Sequence, residues 1–118
     1  MIFALSTDDR TLQVFDSEAE AISYAEGIDV EDGVWAFFDD AGQALEPVFT
    51  KPNQRGRFVV SSGVYELRLA APNTPPLQAK LSEVSAIGNV GKFKSVSEVE
   101  AWLASNSSFK RDALKRAP

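Results

Sequence analysis

Apolar and polar positions along the chain change period several times, and the changes mark its elements. Ile2–Leu5 is a short apolar run that reads as a strand, Ser6–Arg10 is a polar turn, and Leu12–Phe15 reads as a second short strand or an extended lead-in. At Ser17-Glu18-Ala19-Glu20 the period becomes helical. Ala21, Ile22, Ala25 and Ile28 share one stripe, and the serine and glutamate form a capping box that satisfies free amides reciprocally. Gly27 suits the residue that closes this helix, and Glu18 and Glu20 favour its positive end. Gly33–Asp39 (GVWAFFD) does not alternate, which is the mark of a strand buried on both faces. Asp40-Ala41-Gly42 is a turn, and Leu45–Thr50 pairs back, with Pro47 pointing to an edge or a bulge.

Lys51–Gly56 is a loop, and Arg57–Ser61 with Val64–Ala70 reads as a hairpin around Ser62-Gly63. In its second arm Tyr65, Leu67 and Leu69 alternate with Glu66 and Arg68, so one face is wet. The proline-rich stretch 72–76 ends the sheet pattern, and Thr74-Pro75 resembles the start of a helix carrying Leu77, Leu81 and Val84. Gly88–Gly91 closes that element. Ser95 and Ser97 then offer overlapping capping boxes with Glu98 and Glu100, ahead of the stripe Val96, Val99, Trp102 and Leu103. Phe109–Arg116 is a short basic tail. The elements add up to an α+β fold: an antiparallel sheet of four to six strands with an N-terminal helix and C-terminal helices packed on it. Residues 1–118 form one domain, with 72–76 as a hinge between the sheet and the C-terminal helices.

Composition narrows the chemistry. With no histidine and no cysteine, serine–histidine and cysteine–histidine nucleophiles, the histidine base, zinc sites and iron–sulfur ligation are all excluded. The absence of disulfides fits a cytoplasmic protein. No apolar run reaches the ~20 residues of a membrane span, and the acidic start, MIFALSTDDR, does not read as a secretory signal. Asp29-Val30-Glu31-Asp32 lacks the spacing of a calcium loop, and Gly88-Asn89-Val90-Gly91 lacks the lysine and serine or threonine of a phosphate loop, so no metal or cofactor is expected.

Charge is sorted along the chain. Residues 1–46 hold twelve carboxylates and one base, while residues 47–118 hold five carboxylates and eleven bases, so the two parts net −11 and +6. The overall −5 disfavours nucleic acid as a direct ligand and favours a basic partner. Antiparallel pairing puts Asp29, Glu31 and Asp32 at the same end of the sheet as Lys51, Arg55 and Arg57, where salt bridging within the fold is the plainer reading. Asp39 and Asp40 fall in a turn at the other end, where aspartate is a turn former, and Glu18, Glu20 and Glu26 decorate the first helix. The aromatic residues of the strands read as core, and so does Trp102. Tyr24 or Trp35, if exposed, would be a good interface anchor.

The stretch VFDSEAEAISYAEGIDVEDGVWAFFDDAGQALEPVFTKPNQRGRF, residues 14–58, resembles small acidic bacterial proteins of the immunity type, which accompany secreted antibacterial toxins. The resemblance lies in a short strand, a capped FDS-type helix, an IDVEDG-like turn, the hairpin FFDDAG and the return LEPVFTKPN. It implies a non-catalytic protein that occludes a cognate toxin, one with a basic cleft, in the cytoplasm of the producing cell. Charge placement gives the candidate contacts as Glu18, Glu26, Asp29, Glu31, Asp32, Asp39 and Asp40. Two other readings stay open. One is a small enzyme or ligand-binding domain using paired carboxylates. The other is an adaptor that dimerises through an edge strand around Leu45–Thr50.

Overall fold

Strands β1 (Ile2–Ser6) and β3 (Trp35–Phe38) lie in the middle of a six-stranded sheet. In the computed structural model, which describes residues 1–56, 60–88 and 92–105, the strand order is β7-β4-β3-β1-β2-β8. β2 is Thr11–Phe15, β4 is Ala44–Lys51, β7 is Val64–Leu69 and β8 is Ala86–Ile87. All the pairings are antiparallel except that of β8, which runs parallel to β2 through Thr11↔Ala86 and Leu12↔Ile87. The fold is α+β as expected, with a mixed sheet. Arg57, Phe58, Gly91 and the basic tail from Phe109 lie outside the described residues.

The central strands are apolar on both faces, so both faces need cover. On one face Phe3, Leu5, Leu12, Val14 and Phe38 pack with Leu77, Leu81, Val99 and Leu103. On the other, Ala4, Phe15 and Phe37 pack with Ala21, Ala25, Val30 and Tyr65. Neighbours on one strand thus serve different cores, as Phe37 and Phe38 do, and each large apolar side chain so buried contributes about 1.5–3 kcal/mol. Helices α1 (Glu18–Tyr24) and α2 (Gly27–Glu31) cover the second face, while two 3-10 turns and helix α3 (residues 96–105) cover the first.

The Ser17 and Ser95 capping boxes form, shifted by one residue, while Ser97 lies inside α3, which begins at residue 96. Ser17 Oγ accepts the Glu20 N–H at 3.2 Å, but the Glu20 carboxylate accepts the N–H of Asp16 rather than of Ser17. The same arrangement recurs at α3, where Ser95 accepts from Glu98 N–H and the Glu98 carboxylate takes the N–H of Lys94 at 2.6 Å. Gly27 does not close the first helix. The chain turns extended at Ala25, and Gly27 opens α2, with a Cβ at that position falling 2.7 Å from Asn53 Oδ1. The left-handed closing glycine is Gly33, φ +79°, whose N–H bonds Val30 O while Val34 N–H bonds Asp29 O. That 6→1 and 5→2 pair of bonds ends α2.

Other expectations change for tertiary reasons. The segment expected as a helix after Pro75 forms 3-10 turns at Leu77–Ala79 and Leu81–Glu83. It is anchored at both ends, by Leu77 N–H to Gly42 O and by Ser85 N–H to Arg10 O, at opposite ends of the sheet. Eight residues advance about 16 Å as 3-10 helix, the length of a five-residue strand, but only about 12 Å as α-helix. The proline stretch is the crossover that carries the chain from β7 to the first face. The hairpin around Ser62-Gly63 also resolves differently. β6 (Val60–Ser61) pairs with β5 (Gln54–Arg55) in a separate two-stranded ribbon, and β7 pairs with β4.

β4 is therefore not an edge, and Leu45–Thr50 lies against β7 with a bulge between Phe49 and Lys51. Pro47 is accommodated without edge exposure. Its partner Leu67 turns its N–H away from β4, so Pro47 faces the β3 side, where the ladder has already ended at Leu45.

Tyr65 ties β7 to the break between the two helices: its buried hydroxyl donates to Ala25 O at 2.6 Å. Burial pushes the phenol up to about 12. Because this value lies above the ordinary one near 10, the contribution of the neutral phenol is complete below about pH 10 and disappears as pH rises toward about 12. Tyr65→Phe is expected to cost about 1–2 kcal/mol by stranding the Ala25 carbonyl. It should also flatten the loss of stability between pH 10 and 12, as read by denaturant unfolding of the two proteins at each pH.

Candidate protein-binding surface

The acidic first part of the chain is largely consumed by its own backbone and bases. Asp9 Oδ1 accepts the Thr11 N–H at 3.0 Å, and that bond leads the causes that hold its carboxyl below the ordinary aspartate value. Asp16 pairs with Lys92. Glu31 and Asp32 share the Arg55 guanidinium at 3.3 and 3.0 Å, and Arg55 also donates to Ile28 O at the helix C-terminus. Asn53 completes this end, donating to Gly27 O and Glu31 while its Oδ1 accepts the Gly63 N–H. The juxtaposition of the IDVEDG segment with the KPNQR loop, read from strand directions, is thus present with Arg55 as its centre.

The seven candidate contacts do not share one surface. Asp39 Oδ1 accepts the N–H groups of Ala41 and Gln43, both at 2.9 Å, and so builds the β3–β4 turn with Gly42 at φ +84°. Asp40 sits beside it, with its carbonyl accepting the Trp102 indole N–H at 3.3 Å. This turn is at the opposite end of the sheet from Glu31 and Asp32. Glu18 lies at the outer side of β7, where its carboxylate accepts the Leu67 N–H at 2.8 Å. The carboxylates of Glu26 and Asp29, at the start of α2, have no hydrogen-bond or ion-pair partner among the described residues, and both residues are exposed.

Next to these two is the aromatic feature that the structure adds. Tyr24 is 54% exposed. Its ring nevertheless touches Trp35 edge-on at 5.7 Å and Phe15 at 5.3 Å. Tyr24 lies off the stripe Ala21–Ile22–Ala25, which is why α1 turns it outward while β2 and β3 supply rings for it to lean on. A shallow depression lined by Phe15, Ala19, Glu20 and Ser23 flanks it. Glu26 follows two residues later, and Asp29 is tied through its carbonyl to Val34, the neighbour of Trp35. The corner therefore combines a held but exposed aromatic with two carboxylates that have no structural task. Trp102, expected in the core, is 41% exposed and packs edge-on against Phe93.

Among the described residues no three carboxylates gather where they could hold a metal ion, and no helix is long and apolar enough to cross a membrane. The concavity between α1 and β7 is shallow and lined by Glu18, Glu66 and Arg68 with Ala19, Ile22 and Leu67, and the one beside Tyr24 is shallow as well.

Because both carboxylates of the Arg55 pair are half exposed, the pair contributes only about 0–1 kcal/mol per bridge. Arg55→Ala is expected to lower stability by about 1 kcal/mol at low salt. The difference should shrink as salt screens the repulsion left between Glu31 and Asp32, in unfolding titrations at 20 mM and 500 mM salt (about 20 Å and 4 Å of screening length). Comparison with family models, with curated proteins and with solved structures finds no match to this chain.

Proposed function

We propose that this chain is a non-catalytic binding protein of the bacterial immunity type. It occupies the basic cleft of a cognate toxin in the cytoplasm of the cell that makes both. The observation that carries this reading is the corner where Tyr24, half exposed yet braced by Trp35 and Phe15, stands beside the unpaired Glu26 and Asp29. A braced aromatic loses little side-chain freedom on binding, which is the property of an interface anchor. Two carboxylates without partners among the described residues give up no bond to those residues when a basic partner takes them. They steer its approach and pair with it on arrival. The resemblance of residues 14–58 to immunity-type proteins supplies the class of partner, and the lack of histidine and cysteine is consistent with binding rather than catalysis.

Among the seven acidic candidates this reading favours Glu26 and Asp29. Glu31, Asp32 and Asp39 are committed to ion pairs or a turn, so their removal acts through stability. The test is binding of the toxin encoded beside this protein, measured by surface kinetics with survival of toxin-exposed cells as the second readout. Tyr24→Ala is expected to raise the off-rate by about 30-fold or more, the effect of an anchor worth about 2 kcal/mol. Glu26→Lys with Asp29→Lys should slow association and reduce its salt dependence, while Tyr24→Ala, which also loses its contacts with Trp35 and Phe15, is compared at a temperature where unfolding shows it fully folded. Wild-type kinetics and full protection in both would reject this surface. Absence of any complex with the neighbouring gene product would reject the partner.

A further inference from the structure

The last strand of the sheet, β7, carries a self-complementary edge. Ala70 N–H turns inward to Ala44 O, while Leu67 N–H turns outward to Glu18, so the backbone of Tyr65, Leu67 and Leu69 faces out of the sheet. An edge of this kind accepts a further strand unless something blocks it. The geometry points to a second copy of this chain as that strand, with β7 pairing antiparallel to β7 about a two-fold axis at Leu67 and with Glu18 as the brake on the pairing.

The sequence of the strand argues for this occupant. With Leu67 opposite Leu67, residue 66 of each copy lies opposite residue 68 of the other. Glu66 of each copy then meets Arg68 of the other directly, in place of the exposed bond of 3.0 Å they now make within one chain. The same register sets Leu69, 62% exposed, opposite Tyr65 of the second copy. It is a closed, isologous arrangement that uses each outward backbone group once. Glu18 opposes it twice. Its carboxylate occupies the Leu67 N–H at the centre of the pairing, and the two-fold brings two such carboxylates to the same place. Glu18 reaches β7 whereas Tyr24 leans on Phe15 and Trp35, so the dimer does not use the Tyr24 ring.

The test is sedimentation equilibrium of the full chain from micromolar to millimolar concentration. Wild type is expected to dimerise weakly, and Glu18→Ala to strengthen the dimer about tenfold. Glu66→Arg in the Glu18→Ala background should weaken it by setting arginine against Arg68, and adding Arg68→Glu should restore it. Circular dichroism confirms that each variant is folded, since all three positions are exposed. Three results would overturn the proposal: Glu18→Ala associating no more strongly than wild type, a dimer indifferent to Glu66→Arg, or a charge swap that fails to restore it. Indifference to the β7 variants would show that any dimer uses another surface.

Discussion

The fold depends on one constraint: the middle strands cannot present either face to water. Phe3 and Phe38 point to one side of the sheet, and Ala4 and Phe37 to the other. Two layers must therefore be recruited from a chain of 118 residues. The residues following β2 provide one as α1 and α2, and the residues following β7 provide the other. Covering both sides of the centre leaves little chain for the β4–β7 wing. Among the described residues that wing keeps the helix layer on the Tyr65 side and ends in an edge where Glu18 takes the Leu67 N–H. The separated surfaces of the molecule, the aromatic corner on α1–α2 and the β7 edge, follow from that allocation.

The charge asymmetry of the sequence has a corresponding explanation. An acidic first part of the chain does not become an acidic face, because many of its carboxylates are used locally. They cap helices at Glu20, build turns at Asp9 and Asp39, and anchor Arg55 or Lys92. These are short-range uses that lower the effective charge offered to a partner. Glu26 and Asp29 gain weight because, among the described residues, their carboxylates are not held in competing bonds.

Local chemistry was the readable part of the sequence. Both capping boxes, the Asp39–Gly42 turn and the doubly buried β3 follow from residues within a few positions of one another. What escaped depends on contacts between distant segments. The pairing of β6 with β5 and the addition of β8 beside β2 involve two-residue strands with no periodicity to read. The 3-10 turns lie in a segment anchored at both ends, to Gly42 and to Arg10, by bonds that no local pattern shows. The site divides in the same way. Opposition of Asp32 and Arg55 was legible from strand direction, and Tyr24's exposure from its place off the apolar stripe. The role of Glu18 was not, since Leu67 is forty-nine residues away and the edge position of β7 is a property of the whole sheet.

Amide hydrogen exchange of the isolated protein tests the two-sided centre and the one-sided wing together. The slowest exchange is expected in β1 and β3, and within β7 protection of the inward amides of Glu66, Arg68 and Ala70 with rapid exchange at the outward amide of Leu69. Exchange in β3 as fast as in β7, or uniform protection along β7, would contradict this expectation.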